Sequence, residues 1–365
     1  MVIDEAHYIK QLGGSWAGAA LRVAPHARVR CVLTGTPFPH SYTDTFNLFD
    51  FLWPGNPPVD EQSKIRIKIA EEHEDHATAI DEVRRNVGPL FYRVRKSELK
   101  LMPPRFHPPH LLDMNKIEGR IYSAIHTKIR DYSREDYLRN IDTVHLLRRA
   151  RIMRLRQCAS YSKLLLTALV DGSASEDLLA GDKTLSNIIR RYDSLEVPGK
   201  IEHLTGMLHK FQSQSEKVVV WSNFIGSLRL IQRHLGAAGI RAKIIFGEVP
   251  TEQNSVDDEE TREKIIEEFL RAGSGLDVLI ANPGACAESI SLHTTCSKAI
   301  YYDLSYNCAQ YLQSLDRIHR VGGSETRQAE YFFLQYRGTV DADIKANLDR
   351  KAARMSSVID EEYSI

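Results

Sequence analysis

The sequence predicts an α/β fold with parallel sheets, in which a helical middle separates two α/β segments. Short apolar runs alternate with helical patterns in the last part of the chain, as in VVVW at 218–221, DVLIA at 277–281 and KAIYYD at 298–303. Strands of a parallel sheet appear in a sequence as short apolar runs because both faces of the sheet are buried. A shorter version of the same alternation opens the chain, where one apolar stretch leads to Asp4 and another, Cys31–Leu33, leads to a turn.

Changes in composition divide the chain into four predicted segments. Prolines at 103–104 and 108–109 mark a linker, residues 116–169 have helical spacing, and the strand–helix alternation begins after Pro198-Gly199. We therefore expect an α/β segment with a helical protrusion over 1–110, a helical protrusion or linker over 111–195, a second α/β segment over 196–340, and a C-terminal helix and tail over 341–365.

The remaining elements follow from the spacing of apolar residues. FNLFDFL at 46–52 is helix-like and ends at Pro54-Gly55, and the charged stretch 61–86 has isoleucines at helical spacing. Further helices are expected over 225–238, 261–271, 308–319 and 340–355, and further strands over 242–246 and 329–336.

Composition is that of an ordinary globular protein of 365 residues, with 42% hydrophobic residues and zero formal net charge. No apolar stretch reaches the ~18 residues of a membrane helix. Five scattered cysteines and the lack of a signal-peptide pattern predict reduced thiols in the cytoplasm. Charge is uneven, with 19 Lys and Arg against 7 Asp and Glu between Arg84 and Lys163. Such a region either contacts a phosphate backbone or forms solvated helix faces, and charge alone leaves both open.

An acidic pair, Asp4-Glu5, follows the first apolar stretch and is itself followed by Ala6-His7. A carboxylate at the carboxyl end of a parallel strand can hold magnesium bound to ATP. A second carboxylate beside it can orient or deprotonate the attacking water, and His7 would couple the pair to a neighbouring lobe. The alternative is a polar helix start with Asp4 as the N-cap. Residues 34–37, Thr-Gly-Thr-Pro, follow after about one helix and one strand, and by themselves are an ordinary turn.

Two arginines lie three residues apart near the end of the chain. Gln313, Arg317 and Arg320 are spaced i, i+4 and i+7, so on the helix predicted over 308–319 they share a face. The planar guanidinium can bind phosphoryl oxygens through two hydrogen bonds, and an arginine supplied from a facing lobe can accelerate phosphoryl transfer by ~10³–10⁵. The alternative is a solvated helix with an Asp316–Arg320 pair.

Taken in order, these motifs resemble the helicase-like ATPases of superfamily two, and specifically the Swi/Snf-type DNA translocases. VIDEAH is similar to motif II of that family, LTGTP to motif III, and the run 301–323 to motifs Va and VI. The segments LFDFLWPG, MRLRQC and VVVWSNF extend the resemblance over nearly the whole chain. The resemblance implies the P-loop NTPase helicase architecture, with an incomplete first RecA-like lobe, helical protrusions and a complete second RecA-like lobe.

The resemblance also implies a function. Such proteins hydrolyse ATP with magnesium between two lobes and move along duplex DNA, often without separating its strands. The implied roles are catalysis by Glu5, Arg317 and Arg320, nucleotide binding by Asp4 and Gln313 with magnesium at Asp4, and coupling between the lobes by His7, Thr34 and Thr36.

The chain departs from the family pattern in two places. No phosphate-cradling GxxxxGK[ST] run occurs in the 365 residues, and the nearest stretch, Gly181-Asp182-Lys183-Thr184, has Asp where Gly is required. We therefore expect a truncated chain whose P-loop lies in a missing or separate N-terminal segment. Where the family often has GGxGxN, this chain has GACAESISLH, and residues 289–293 receive no role.

Two other functions stay open. Without a phosphate cradle the chain is alternatively a non-catalytic nucleic-acid-binding or docking fragment, and the acidic and arginine motifs are shared with RNA helicases. Its short length and lack of chromatin-reading appendages favour a bacterial or phage context.

Overall fold

The computed structural model describes residues 1–10, 13–34, 41–73, 75–87, 90, 96–134, 141–167, 182–252, 260–286 and 290–360. The chain forms two compact units, one made of Met1–Arg95 with Leu348–Ile365 and the other of Lys96–Asn347. The four functional segments expected from the sequence, with boundaries at 110, 195 and 340, stay a prediction.

The first unit contains a short parallel sheet. Strand β1 (Val2–Ile3) leads through helix α1 (Ser15–Val23) to strand β2 (Cys31–Val32), and the two strands pair in parallel with Ile3 opposite Val32. Helices α2 (Phe46–Leu52), α3 (Glu61–Glu72) and α4 (His76–Val87) follow. The helical spacing seen over 61–86 is thus confirmed, as two helices rather than one.

Helix α2 belongs to both hydrophobic clusters of the first unit. Leu48 and Phe51 pack with residues of α1 and of the segment after β1. Phe46 and Phe49 pack instead with residues of α3 and α4. Burial of such side chains contributes about 1.5–3 kcal/mol each, so the aromatic run binds the two halves of the unit together.

The second unit is built on a parallel sheet with strand order β3-β9-β8-β5-β7-β6, and β4 also pairs with β9. All residues of β7 and β8 are buried, which explains the uninterrupted apolar sequence of β7, whereas β8 also buries Ser297 and Lys298. Its strands and α-helices, in chain order, are β3 (Arg105–Phe106), β4 (His110–Leu112), α5 (Lys116–Arg134), α6 (Ile141–Ser160), α7 (Lys183–Arg190), α8 (Tyr192–Leu195), α9 (Gly199–Ser213), β5 (Lys217–Trp221), α10 (Ile225–Ala237), β6 (Ala242–Ile245), α11 (Arg262–Leu270), β7 (Val278–Ala281), α12 (Pro283–Cys286), β8 (Cys296–Tyr301), α13 (Cys308–Leu315), β9 (Glu330–Tyr336) and the part of α14 (Val340–Asp360) that precedes Leu348.

The α/β class with parallel sheets is confirmed, and two local predictions need correction. The helix expected over 308–319 ends at Leu315, and residues 316–320 form turns and a bend. The proline-rich stretch predicted as a linker contains β3 and β4, which lie on the edge of the sheet beside β9, where proline is tolerated. Within the described ranges, every helix is too short or too polar to cross a bilayer.

Candidate functional site

Asp4 and Glu5 lie at the carboxyl end of β1. The Leu33 amide donates to the Ile3 carbonyl at 2.8 Å, and the Ala6 amide donates to the Leu33 carbonyl at 2.9 Å. The chain after β1 therefore stays bound to the chain after β2. Asp4, Glu5 and Thr34 consequently lie at the same edge of the sheet, as the order of the motifs predicts.

Glu5 adopts a left-handed backbone conformation, with φ of 47°. Its amide donates to Oδ1 of Asp4 at 2.8 Å, and its carbonyl accepts from the Tyr8 amide at 3.0 Å. An N-cap side chain would instead accept from an amide two or three residues further on. A non-glycine residue in this region costs on the order of 1–2 kcal/mol, and strain of this kind tends to persist at functional sites.

The segment after the acidic pair is fixed by a buried amide that the sequence analysis missed. Asn47, in α2, donates from Nδ2 to the Ile9 carbonyl at 2.9 Å and to the Lys10 carbonyl at 3.3 Å. These carbonyls end the short 3₁₀ helix Ala6–Ile9, whose first and last residues are buried. The sequence signal for this contact was a polar amide side chain inside the aromatic run FNLFDFL. The side chain of His7 and the whole of Thr36 lie outside the described residues.

The acidic pair fits the way in which proteins bind magnesium to a nucleotide. Asp4 is exposed, and the described residues contain no cluster of three His, Cys, Asp or Glu side chains that would hold a metal ion alone. Magnesium bound with ATP commonly takes one or two carboxylates, the remaining ligands being phosphate oxygens and water. A lone exposed carboxylate at a strand end is compatible with that donor set.

Arg317 is a buried cation that closes the turn after α13. It is 6% exposed, its Nε donates to the Gln313 carbonyl at 3.0 Å, and its Nη1 donates to the Ile290 carbonyl at 3.1 Å. Gln313 is itself buried, at the end of α13. Because its guanidinium binds two main-chain carbonyls, Arg317 stabilises the local fold whatever else it does.

Arg320 is partly exposed and is held differently. Its Nη1 donates to the Ser291 hydroxyl at 2.8 Å, and its amide donates to the Ser324 hydroxyl at 3.1 Å. The structure thus places Gln313 in the last turn of α13, and Arg317 and Arg320 on the turns and bend that follow, so the three residues do not share one helix.

A second group that sequence reasoning missed surrounds Asp303, which is 4% exposed and lies just after β8. Its carboxylate accepts from the Ser160 hydroxyl at 2.7 Å, the Ser222 hydroxyl at 2.5 Å and the Asn223 amide at 2.8 Å. Arg156 donates to the next carbonyl, that of Leu304, at 3.2 Å. The end of α6 is therefore bound to the carboxyl ends of β5 and β8 in the second unit.

Comparisons with known families match most of the chain. The family model described as "SNF2-related domain" matches residues 1–164, and "Helicase conserved C-terminal domain" matches residues 199–322. A protein of rice (Oryza sativa subsp. japonica) described as "Probable chromatin-remodeling complex ATPase chain" is 24% identical over 364 residues, covering 98% of this chain and 29% of the rice protein. The human "SWI/SNF-related matrix-associated actin-dependent regulator of chromatin subfamily A member 1" is 24% identical over 370 residues, covering 99% of this chain and 32% of the human protein.

Among solved structures, the "Sulfolobus solfataricus SWI2/SNF2 ATPase core in complex with dsDNA" is similar with a TM-score of 0.47 and 18% identity, covering 98% of this chain and 68% of that one. The chain spans about a third of the length of the two curated relatives, from rice and human, that it matches.

These relatives correct one expectation and confirm another. A cytoplasmic location in a bacterial or phage context is wrong, because the curated relatives are plant and animal proteins whose names place them on chromatin, which is nuclear. The resemblance to Swi/Snf-related helicase-like proteins seen in the sequence is confirmed, because residues 1–164 match the SNF2-related domain and residues 199–322 match the helicase conserved C-terminal domain.

Proposed function

We propose that this chain is the motif II–VI part of a DNA-dependent ATPase that moves along duplex DNA. The supporting observation is that the two motif sets lie on separate units, the acidic pair at the carboxyl end of β1 and the arginines on the turns that follow α13. In the proposed enzyme, ATP binds with the acidic pair on one lobe and the arginines on the other. Closing and reopening of the lobes with each hydrolysis step moves them along the DNA backbone.

On the first lobe, Glu5 accepts a proton from the water whose oxygen bonds to the γ-phosphorus, while the bond between that phosphorus and the β,γ-bridging oxygen breaks and ADP leaves. Asp4 holds magnesium, which when bound offsets charge on the phosphate oxygens. The strained turn supports these roles, since the backbone hydrogen bonds hold Asp4 and Glu5 at the same edge of the sheet as Thr34. Thr34, together with His7 and Thr36, is proposed to couple nucleotide state to movement of the lobes.

On the second lobe, Arg320 stabilises the charge that develops on the transferred phosphoryl group. Its partial exposure supports this role. Arg317 and Gln313 are proposed to contact the nucleotide as well, but Arg317 also closes a buried turn. Substitution of Arg317 would therefore change both the stability of the fold and the catalytic rate. Substitution of Arg320 tests the catalytic role more directly.

Duplex DNA is the proposed partner. The helices α5 and α6 lie in the basic region of the sequence, and their exposed residues include Lys116, Arg120, Arg130, Arg148 and Arg149. Such residues can bind a phosphate backbone without reading its sequence. Two matched relatives are named as regulators or remodelling enzymes of chromatin, of which duplex DNA is a component, and this agrees with the choice.

The phosphate cradle is proposed to come from residues outside these 365, either upstream in the same protein or in a separate chain. Activity is therefore best measured with the P-loop segment present. The same preparation without that segment provides the comparison.

The test is the ATPase rate with and without duplex DNA for Glu5→Gln and Arg320→Ala. We expect kcat to fall by ~10²–10⁴ in Glu5→Gln, the contribution of a general base. A fall of ~10³ or more is expected in Arg320→Ala. Glu72→Gln and Arg271→Ala, at exposed positions on α3 and after α11, are the matched controls and should keep the starting rate.

The outcome separates the candidate functions. Full activity in either site variant would overturn the site assignment. Stimulation by duplex RNA but not by duplex DNA would make the protein an RNA helicase. A failure to bind ATP even with the P-loop segment present would leave a non-catalytic binding or docking fragment.

A further inference from the structure

The segment that carries the arginines is bound along a second stretch of chain. Arg317 donates to the Ile290 carbonyl at 3.1 Å, and the Leu292 amide donates to the Arg317 carbonyl at 2.9 Å. Between these two contacts, Arg320 donates to the Ser291 hydroxyl at 2.8 Å. Three successive residues of one stretch therefore bind the two arginines.

The contact continues through a close approach of two backbones. A Cβ atom at Gly323 would lie 2.1 Å from the His293 carbonyl oxygen, which is far inside van der Waals contact. At Gly322, where φ is +95°, it would lie 3.4 Å from Nε2 of the same histidine. The pair Gly322-Gly323 is therefore required for the arginine turn to lie against this stretch.

A third stretch fixes the backbone of the turn. The Met102 amide donates to the Ser324 carbonyl at 2.8 Å, and the Met102 carbonyl lies 3.0 Å from Nε2 of His319. The Ser324 hydroxyl in turn accepts from the Arg320 amide. With the backbone of Arg320 held in this way, the direction of its guanidinium depends on the side chain's own contacts.

The side chain that binds this guanidinium is uncharged. A hydroxyl acceptor takes one of the five N–H donors of arginine and, unlike a carboxylate, leaves the positive charge uncompensated. Burial lowers the pKa of His293, and the charge of Arg320 lowers it further, against the opposing effect of Glu325. Both effects favour the neutral form of this imidazole.

We infer that Ser291 is a positioning residue, which holds the Arg320 guanidinium in the orientation used against the γ-phosphate. This inference rests on the proposed ATPase function, and it assigns a role to the stretch GACAESISLH, where the family's glycine-rich pattern is absent. Ser291 acts through Arg320 rather than on the nucleotide itself.

The test compares Ser291→Ala with Ser291→Thr, which keeps the hydroxyl, in the protein assayed with its P-loop segment and duplex DNA. One hydrogen bond to a charged group at an exposed site predicts a fall in kcat of ~3- to 10-fold in Ser291→Ala, with KM nearly unchanged. Ser291→Thr should recover most of the rate. Because Ser291 is exposed, neither change should alter the unfolding midpoint. Ser213→Ala, at the exposed end of α9, is the control.

A double-variant cycle shows whether Ser291 acts through Arg320. In the Arg320→Ala background, Ser291→Ala should cause no further loss, since the interaction is already gone. A second readout needs no catalysis: modification of Arg320 by a dicarbonyl reagent, followed by mass spectrometry, should be faster in Ser291→Ala than in the parent chain.

Each result has a distinct meaning. An unchanged kcat in Ser291→Ala, or a further loss in the Arg320→Ala background, would overturn the positioning role while leaving the ATPase proposal intact. An unchanged reactivity of Arg320 would also overturn it. Full activity of Arg320→Ala would instead remove the proposed arginine site, and with it the role of Ser291.

Discussion

The two units support their proposed site residues in opposite ways. In the first unit, Asp4 and Glu5 follow a two-stranded sheet whose strands have two residues each; Asp4 is exposed, and Glu5 is partly exposed with a left-handed backbone. In the second unit, Arg317 and Arg320 lie on a turn that is bonded to two other stretches of chain beside a large parallel sheet.

The difference follows from the charge of the groups and from what they contact. Carboxylates that lie at least partly in solvent, as in Asp4 and Glu5, remain hydrated and need less support from the fold. A guanidinium that is buried, as in Arg317, must satisfy its donors with main-chain carbonyls, since an unpaired buried charge is costly. We therefore expect substitutions that break the buried contacts of the arginine turn to change stability strongly, and substitutions of the acidic pair to change mainly activity.

The largest effect is expected for Gly323→Ala. The added Cβ would overlap the His293 carbonyl oxygen, which is main chain and cannot rotate away. We expect a loss of at least about 3 kcal/mol in the free energy of unfolding, the upper part of the range for overpacking. Urea unfolding followed by the fluorescence of Trp221, which is fully buried in β5, reports on this unit once Trp16 and Trp53 are replaced by Phe.

Gly206→Ala is the matched control for that change. Gly206 lies within α9, and nothing stands within 4 Å of its added Cβ. Alanine is favoured over glycine in a helix interior by about 1 kcal/mol, so this variant should be slightly more stable than the parent. Equal stability of the two variants would mean that the arginine turn does not need its close approach to His293.

A pH-dependent effect of intermediate size is expected at Glu118. Burial raises the pKa of this carboxyl from 4.5 to about 7, against the opposing effect of its hydrogen bond with the Tyr336 hydroxyl. The folded state therefore binds more protons than the unfolded state between about pH 4.5 and 7, and stability falls as the pH rises through that window. Glu118→Gln stays neutral, so it should lack this fall and be more stable at pH 8 by on the order of 2 kcal/mol.

The measurement is the free energy of unfolding of the second unit from pH 4 to 8, again through Trp221. Glu267→Gln, at an exposed position on α11, is the control and should keep the parent's pH dependence. If the curves of Glu118→Gln and the parent stay parallel over the window, Glu118 ionises normally in the folded protein.

Much of the fold could be predicted because its signals are local. The buried strands β5, β7 and β8 appear as apolar runs, and the helices between them as amphipathic spacing. The end of α13 could not be predicted in this way, since the turn is held by Ile290, which is distant in sequence from Arg317. The edge strands β3 and β4 were hidden for a similar reason, because their partner β9 lies near the other end of the chain.

The candidate site likewise combines features that could be predicted from the sequence with features that could not. Its residue types and their order were visible in the sequence, and they identified the family. The left-handed conformation of Glu5, the amide of Asn47 and the hydroxyl of Ser291 were not visible, because each acts through geometry or through a contact with a distant segment.

The smallest expected effect tests the strain at Glu5. Glycine adopts φ of 47° without the steric cost that a side chain incurs, whereas alanine keeps that cost. Glu5→Gly should therefore be more stable than Glu5→Ala by about 0.5–1 kcal/mol, although both variants lose the proposed catalytic carboxylate. Trp53, which packs in the first unit beside Phe49, provides the signal when Trp16 and Trp221 are replaced by Phe. A more stable alanine variant would show that the turn after β1 is not strained. The position of the acidic pair would then be set by the edge of the sheet alone.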